Sequence, residues 1–261
     1  MVLEGTPVEF NANLGLWVKR EDLCCPGGPN FSKTRGVYAH VAARNEPLMG
    51  VLDTAHSQGG WAVARACSEL GKGCVLYYPI RKADDPNLIK PQQQAAKDLG
   101  ADLVPMQAGR SAVLYHQARA RLSPAGYMMP NALKLIESVQ ETAAEVERTE
   151  MPPVDVILIS ASSGTITSGV LLGLRRRQWQ GKITVHMGYS RPENAVRRYI
   201  EKMIGGLTAN VEIVDEGYTY ADSAKPGIDP GFPCNEFYDL KAIRWWAASG
   251  RNEPTLFWNI G

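Results

Sequence analysis

Short apolar runs alternate with segments of helical periodicity along most of the chain. The run at 154–159 is apolar apart from one aspartate, as in a strand that is buried on both faces. The segment at 167–177 repeats its apolar residues at helical spacing, as in a helix with one buried face. The pattern predicts strands at 51–54, 74–78, 101–104, 154–159, 183–187, 211–214 and 255–259, and helices at 37–43, 57–70, 91–99, 111–122, 167–177, 193–204 and 236–248.

This alternation predicts an α/β fold with mostly parallel sheets, because strands joined by helices need crossover connections. The units at 46–130 are followed by an independent set from 151 onward. We therefore predict two doubly wound domains, a small domain at 46–130 inserted in a large domain formed by 1–45 and 131–261. Sheets of this kind bind ligands outside the carboxyl ends of their strands. The functional site is expected in turns that follow strands.

Composition narrows the class of protein. The 261 residues carry a formal net charge of +1, which gives no overall attraction to nucleic acid or to anionic lipid. No apolar run approaches the length of about 18 residues that a membrane span needs, and the first residues lack a secretion-signal pattern. The five cysteines show no CxxC spacing, so no disulfide framework or metal site is expected. A reducing, cytoplasmic location fits best.

Lys33 is the first candidate for chemistry. It follows a turn-rich stretch at 26–32 and opens a predicted helix, which places its amine at a helix N-terminus. The positive end of the helix dipole disfavours a charged amine, and a partly neutral lysine is a nucleophile toward an aldehyde. A solvated lysine in the first turn of a helix is the alternative interpretation.

Two further turns after predicted strands are rich in polar groups. The turn at 54–61 offers hydroxyl, amide and backbone N–H groups that suit a carboxylate or a ring oxygen; a helix capped by Ser57 is the alternative. The turn at 160–169 is rich in serine, threonine and glycine and leads into a helix, which suits a phosphate. A plain capped helix is the alternative there, since neither the Walker nor the G-x-G-x-x-G pattern is present.

Together the three turns fit one cofactor, pyridoxal phosphate. The lysine would form an imine, the turn at 54–61 would hold the ring oxygen and the substrate carboxylate, and the turn at 160–169 would hold the phosphate. The stretch 18–22 followed by 30–35 resembles the lysine region of fold type II pyridoxal-phosphate enzymes, the tryptophan-synthase-β-like superfamily. Within that superfamily the chain is most similar to the branch of 1-aminocyclopropane-1-carboxylate (ACC) deaminase and D-cysteine desulfhydrase.

This resemblance implies roles for individual residues. Lys33 matches the Schiff-base lysine, and Glu236 matches a glutamate that faces the pyridine nitrogen, with a first-turn helix carboxylate as the alternative for Glu236. The implied catalytic residues are Lys33, Ser57 and Tyr218, with Tyr220 as the alternative to Tyr218; the implied cofactor ligands are Lys33, Gln58, Ser163, Gly164, Thr165, Ile166, Thr167 and Glu236; and the implied substrate contacts are Thr54, His56, Ser57 and Gly59.

The chain also departs from the pattern of this branch. Gln58 stands where the family has an asparagine, and Asn235 stands where the deaminases have a tyrosine, which puts ring-opening deamination in doubt. The chain is shorter than typical members, so a more open site that accepts a bulkier substrate is expected.

The resemblance implies an enzyme that acts at the α-carbon of an amino acid by deamination or β-elimination, through a Lys33 Schiff base and a quinonoid intermediate. The first alternative is a decarboxylase or lyase for an amino acid attached to a nucleotide or DNA base. It is suggested by the trimmed chain and by the basic run at 175–177, although such a run is usually a solvated face. Bond orientation against the ring selects the bond that breaks.

Two other interpretations stay open. A non-catalytic pyridoxal-phosphate-binding regulatory protein is one, because a fold can lose its chemistry. An enzyme for sugar or nucleotide phosphates that lacks the cofactor is the weaker one. The resemblance also implies a homodimer with a small amino-acid substrate, without a membrane partner and with nucleic acid not favoured.

Overall fold

The computed structural model describes residues 2–54, 56–81, 89–192, 194–207, 210–224 and 227–261. Its strands form one six-stranded and one four-stranded sheet, and every strand pairing except one is parallel. The predicted α/β class with mostly parallel sheets is confirmed.

The six-stranded sheet combines the two ends of the chain. Its strands follow the order β1-β2-β10-β7-β8-β9, and the antiparallel pairing joins β1 to β2. These strands are β1 (Val8–Asn11), β2 (Leu16–Arg20), β7 (Val156–Ala161), β8 (Lys182–Met187), β9 (Val211–Val214) and β10 (Thr255–Asn259).

The four-stranded sheet lies within the segment between β2 and β7, in the order β5-β4-β3-β6. All its strands fall inside the predicted small domain at 46–130, whose boundaries stay a prediction. They are β3 (Leu48–Leu52), β4 (Gly73–Ile80), β5 (Asp102–Gln107) and β6 (Gly126–Met128).

Helices connect most of the parallel strands. The pattern analysis did not predict the helix at 136–148 or the strands β1, β2 and β6. The predicted helix start at Glu193 lies outside the described residues. The helices are α1 (Thr34–Ala42), α2 (Gly59–Glu69), α3 (Pro91–Asp98), α4 (Ser111–Arg121), α5 (Ile136–Arg148), α6 (Thr165–Arg176), α7 (Ala195–Ile204) and α8 (Asp239–Ala248).

The strand β7 is buried along its whole length, which explains its continuous apolar sequence. Ile157 and Ile159 pack into the core that α6 and α7 cover, whereas Leu158 packs into the core that contains Ile243 and Trp246 of α8. Helices therefore cover both faces of this strand. Its carboxyl end is held firmly where the turn at 160–169 begins.

A buried network of charged groups joins β2, α1 and α5. Lys19 Nζ lies 2.6 Å from both the Thr6 carbonyl and Glu145 Oε1, and Arg35 contacts Glu21 and Glu145. Burial alone raises the pKa of Glu145, but Arg35 and Lys19 lower it to about 2. Each cation of this network thus has a carboxylate partner.

None of the helices in the described ranges is long and apolar enough to cross a membrane. All five cysteines are free thiols. Among the described residues, no cluster of histidine, cysteine or acidic side chains is placed to hold a metal ion.

Candidate active site

A cavity of about 470 Å³ lies at the carboxyl ends of strands from both sheets. Asp53 follows β3, Ser160 and Ala161 end β7, and Ile260 follows β10. This is the position at which open parallel sheets bind ligands. Because Lys33 lines this space, it is called the Lys33 cavity below.

Lys33 precedes the first residue of α1 and points into the cavity, with 8% of its surface exposed. Its Nζ donates hydrogen bonds to the Ala132 carbonyl at 3.0 Å and to Ser163 Oγ at 3.2 Å. Burial, followed by the nearby charge of Lys134, lowers the pKa of the Lys33 amine to about 8. The alternative of a solvated lysine is therefore wrong, and burial is the main cause of the shift predicted from the helix dipole.

The turn that receives the Lys33 amine has an unusual backbone. Ala132 has φ 58° and ψ 22°, and Leu133 has φ 48°. Residues other than glycine rarely adopt this left-handed conformation, which costs about 1–2 kcal/mol for each residue. Here it accompanies the contact of the Ala132 carbonyl with Lys33, and neither residue type signals such a turn in the sequence.

The segment 163–167, called the nest below, joins β7 to α6. Gly164 has φ 86° and lies at the N-cap of α6, a conformation that suits glycine. The first N–H groups of a helix have no partner within the helix, so those of α6 are available to an anion. Thr167 Oγ1 is buried and has no hydrogen-bond partner among the described residues. The nest therefore offers hydrogen-bond donors that suit an anion such as a phosphate.

Two buried carboxyl groups line the same cavity. Asp239 is the first residue of α8, and it accepts hydrogen bonds from Ser160 Oγ and, at 3.0 Å, from the Gly261 N–H. Asp53 accepts a hydrogen bond from the Gly60 N–H at 3.2 Å. Burial raises the pKa of each carboxyl group to about 6. Either group would be ionised more readily beside a cationic ligand.

Two cations and three tyrosines complete the wall. Arg191 Nη1 donates to the Ser162 carbonyl at 2.9 Å, and Lys134 Nζ lies 4.9 Å from the centre of the Tyr199 ring. Neither cation forms an ion pair with a carboxylate in the part of the chain that the structure describes. The tyrosines that line the cavity are Tyr189, Tyr220 and Tyr238.

Most of the site residues predicted in the three turns line the Lys33 cavity. Thr54 Oγ1 donates to Ser57 Oγ at 2.8 Å, so these two hydroxyl groups form one polar patch. The predicted residues that line the cavity are Lys33, Thr54, Ser57, Gly59, Ser163, Gly164, Thr165, Ile166 and Thr167.

Three predicted residues lie instead in a second cavity of about 500 Å³, which shares Ser57 with the first. The His56 ring stacks on Phe237 at 3.6 Å between ring centres, and Gln58 Nε2 donates to the Asn30 carbonyl at 3.4 Å. Glu236 is exposed, because α8 begins at Asp239 and not at the predicted residue 236. The structure therefore does not place His56, Gln58 or Glu236 against Lys33.

Tyr218 is not among the residues that line either cavity. Its ring lies 4.4 Å from Lys241 Nζ, and its carbonyl accepts a hydrogen bond from the Ser190 N–H. Tyr220, the alternative to Tyr218 in the sequence analysis, lines the Lys33 cavity.

Sequence reasoning missed Asp53, Asp239, Lys134 and Arg191. Asp53 directly follows β3, and Arg191 lies four residues after β8, so their positions after strands could have indicated them. Asp239 was missed because its helix was predicted to begin at residue 236, which placed Asp239 inside the helix and not at its start. Lys134 has no local signal, since the fold alone brings it to the cavity.

The basic run at 175–177 is held within the chain. Arg175 Nη1 donates to the Ile204 carbonyl at 2.6 Å, and Arg177 Nη1 donates to the Val146 carbonyl at 2.9 Å. Arg176 lies 3.3 Å from Glu147. These contacts give the run a structural role and provide no argument for a nucleic-acid surface.

The residues of the Lys33 cavity fit pyridoxal phosphate. The buried amine of Lys33 has the lowered pKa that attack on an aldehyde requires, and the nest lies at the N-terminus of α6, where N–H groups have no partner within the helix. The unpartnered hydroxyl of Thr167 adds a donor for the phosphate. The Lys33 amine, the nest and the Thr167 hydroxyl are the groups that make this cavity suitable for pyridoxal phosphate.

Comparison with known proteins gives a consistent result. The family model described as "pyridoxal-phosphate dependent enzyme" matches residues 2–235. The chain is 48% identical to the "Glycyl-dTMP PLP-dependent decarboxylase" of Pseudomonas phage M6, over 100% of both chains.

Solved structures show the same fold. An ACC deaminase homologue superposes with a TM-score of 0.82 at 17% identity, covering 100% of this chain and 90% of the other. The processed form of threonine deaminase isoform 2 from Solanum lycopersicum superposes with a TM-score of 0.65 at 17% identity, covering 100% and 84%. At this identity the likeness is one of fold.

Proposed function

The chain belongs to the family of pyridoxal-phosphate dependent enzymes, and on that premise we propose that it decarboxylates a glycyl group carried by a thymidine nucleotide. The resemblance to fold type II enzymes is confirmed, and so is pyridoxal phosphate as the cofactor. The finer assignment is the first alternative of the sequence analysis, in which the amino acid is attached to a nucleotide.

One observation carries this proposal: 48% identity to a glycyl-dTMP decarboxylase over the full length of both chains. The deaminases among the solved structures share 17% of their residues with this chain, which supports a common fold only. Deamination or β-elimination of a free amino acid therefore stays a prediction without a comparable relative behind it.

Different residues around Lys33 would hold different parts of the cofactor. The nest suits the phosphate, and Thr54 and Ser57 lie where hydroxyl groups can hold a ring oxygen or a carboxylate. Asp239 suits the ring nitrogen, because a protonated nitrogen would stabilise the ionised form of this buried carboxyl group. Glu236, for which the resemblance implied this role, lines the second cavity instead.

When bound, pyridoxal phosphate would supply an aldehyde for a primary amine and an acceptor for the electron pair that remains on the α-carbon when CO₂ leaves. Lys33 Nζ is the nucleophile that anchors the cofactor. Once the substrate amine had taken its place, Lys33 Nζ would be free to carry a proton to the α-carbon.

This chemistry constrains how the nucleotide is attached. The amine must be free to replace Lys33, and the carboxylate must be free to leave as CO₂. Both conditions hold together when the nucleotide is joined to the glycyl α-carbon. Tyr189 and Tyr220, whose ring centres are 5.3 Å apart, then offer aromatic surface for the pyrimidine.

Mass spectrometry tests the proposal. Purified protein with pyridoxal phosphate is incubated with glycyl-dTMP, and loss of one CO₂ from the nucleotide is the expected product. Release of ammonia from free amino acids, with glycyl-dTMP unchanged, would support the deaminase interpretation instead. A cofactor spectrum without any product from either substrate class would support a regulatory protein.

A further inference from the structure

Lys134 and Arg191 bring two positive charges to the wall of the Lys33 cavity, and neither has an ion-pair partner among the described residues. Lys134 follows the left-handed turn at 132–133, and its side chain is exposed. Arg191 follows β8 and is half-buried. Across the described ranges neither side chain forms an ion pair, whereas Arg35 and Arg251 each contact a carboxylate.

The positive charges of Lys134, Arg191 and Lys33 all lie in the wall of one cavity. Burial and then Arg191 lower the pKa of Lys134, and burial and then Lys134 lower the pKa of Lys33. The three cations therefore lie within electrostatic reach of one another. Asp53 and Asp239, whose pKa burial raises to about 6, are still mostly ionised at neutral pH and offset two of these three positive charges. Such a set of cations is stabilised when anions bind among them.

The contacts of the two cations place them beside the nest. Arg191 Nη1 donates to the carbonyl of Ser162, the residue before the nest. Lys134 Nζ lies 4.9 Å from the ring centre of Tyr199, whose hydroxyl is 3.1 Å from Thr165 Oγ1 in the nest. The nest already supplies N–H and hydroxyl groups for one phosphate, so these cations are available to a second one.

We propose that Lys134 and Arg191 bind the phosphate of the nucleotide substrate at the mouth of the Lys33 cavity. The pair would make the enzyme select a nucleotide over the corresponding nucleoside. This inference rests on the proposed function and extends it, because it assigns the recognition of the phosphate to two named side chains. An arginine fork and a lysine ammonium are both common phosphate ligands.

The test compares two probes that differ by one phosphate. The affinities of the enzyme loaded with pyridoxal phosphate for dTMP and for thymidine are measured by titration calorimetry. We expect dTMP to bind about 100-fold more tightly, and Lys134→Met or Arg191→Met to reduce that preference about tenfold each. Thymidine affinity should not change. Lys202→Met removes a lysine that is exposed on α7, away from the cavity, and should keep the full preference.

A second measurement separates the two sources of phosphate. The affinities of the cofactor-free protein for pyridoxal phosphate and for pyridoxal are compared in the same variants by absorbance. Unchanged affinities are expected. If Lys134→Met weakens pyridoxal phosphate binding selectively and leaves the preference for dTMP intact, the pair serves the cofactor and the inference is overturned.

The remaining outcomes are also decisive. Equal affinities of the wild-type enzyme for dTMP and thymidine would overturn this inference and leave nucleotide decarboxylation standing. Absence of binding by either probe, with glycyl-dTMP unreacted, would overturn the proposed function as well. Because Lys134 is exposed, its variant is expected to fold, so it carries the test even if Arg191→Met does not.

Discussion

Two regions of this protein bury cationic side chains, and they differ in whether the cation is paired with a carboxylate. Around Glu145, Lys19 and Arg35 are each in contact with a carboxylate, and Lys19 also donates to a backbone carbonyl. Around Lys33, the amine donates to a carbonyl and a hydroxyl, without a carboxylate partner among the described residues. Only the second region encloses a large cavity.

This difference distinguishes buried charged groups that belong to the folded framework from a buried group that can react. A buried charge that is paired and hydrogen-bonded is tolerated by the fold, and removing one partner is strongly destabilising. A buried amine without a counter-charge shifts its pKa instead and becomes reactive. Burial of a lysine is therefore not in itself a sign of function; Lys33 is distinguished because it both lacks a carboxylate partner among the described residues and lines a cavity of about 470 Å³.

The largest expected effect comes from Lys33. Lys33→Ala should reduce turnover about 10³-fold or more, since both the nucleophile and the proton carrier are lost. Borohydride reduction of the wild-type enzyme, followed by digestion and mass spectrometry, should find the pyridoxyl group on Lys33. Lys19 and Lys241, which are also buried, should carry none. A label on either of those lysines would contradict the comparison.

Glu145 tests the paired region. Glu145→Gln leaves the buried Lys19 without a carboxylate partner and Arg35 with Glu21 alone, so the free energy of unfolding in urea should fall by about 3–5 kcal/mol. Glu147→Gln on the same helix removes a surface pair with Arg176 and should change it by less than about 1 kcal/mol. Similar losses from both variants would show that the buried network is no more important than the surface pair.

The pH dependence of stability in the wild type and in Asp239→Asn tests the cavity region. Burial raises the pKa of Asp239 to about 6, so the folded protein without cofactor binds this proton more tightly than the unfolded chain does. Its contribution to stability is full below about pH 4 and is lost as the pH rises through about 6. Compared with Asp239→Asn, the wild-type free energy of unfolding should fall by about 2 kcal/mol from pH 4 to 7. Parallel pH profiles of the two proteins would argue against a buried, unpaired carboxyl group.

The smallest expected effect comes from Thr167. Thr167→Val removes a buried hydroxyl that has no partner among the described residues, so the cofactor-free protein should not lose stability. Its affinity for pyridoxal phosphate should fall about tenfold, because one phosphate donor is lost. Thr142→Val removes a hydroxyl that donates to the Ser138 carbonyl and should leave that affinity unchanged.

The sequence was most informative where function and structure are local. The turn at 160–169 and Lys33 each lie beside a strong strand or helix pattern, and the structure brings both to one cavity. The strands β1, β2 and β6 were missed because each has only three to five residues and little periodicity. The helix α5 was missed although Val139, Ala143 and Val146 follow its buried face at helical spacing.

The rest of the site depends on details that a single sequence does not fix. Starting α8 three residues later exchanges Glu236 for Asp239 as the carboxyl group in the cavity. A shift of two residues likewise exchanges Tyr218 for Tyr220. Lys134 and Arg191 come from segments far apart in the chain, and only the packing of the two sheets brings them to one wall.

The unpaired amine has a kinetic consequence for the newly made protein. An ordinary lysine is neutral in about one molecule in a thousand at neutral pH, whereas a pKa of about 8 makes Lys33 neutral in about one in ten. Capture of vitamin B6 phosphate requires the neutral form, so maturation of the enzyme should quicken as the medium becomes mildly alkaline and then level off. The burial that disfavours the charged form of Lys33 in the cofactor-free protein therefore also speeds the reaction of Lys33 with the cofactor.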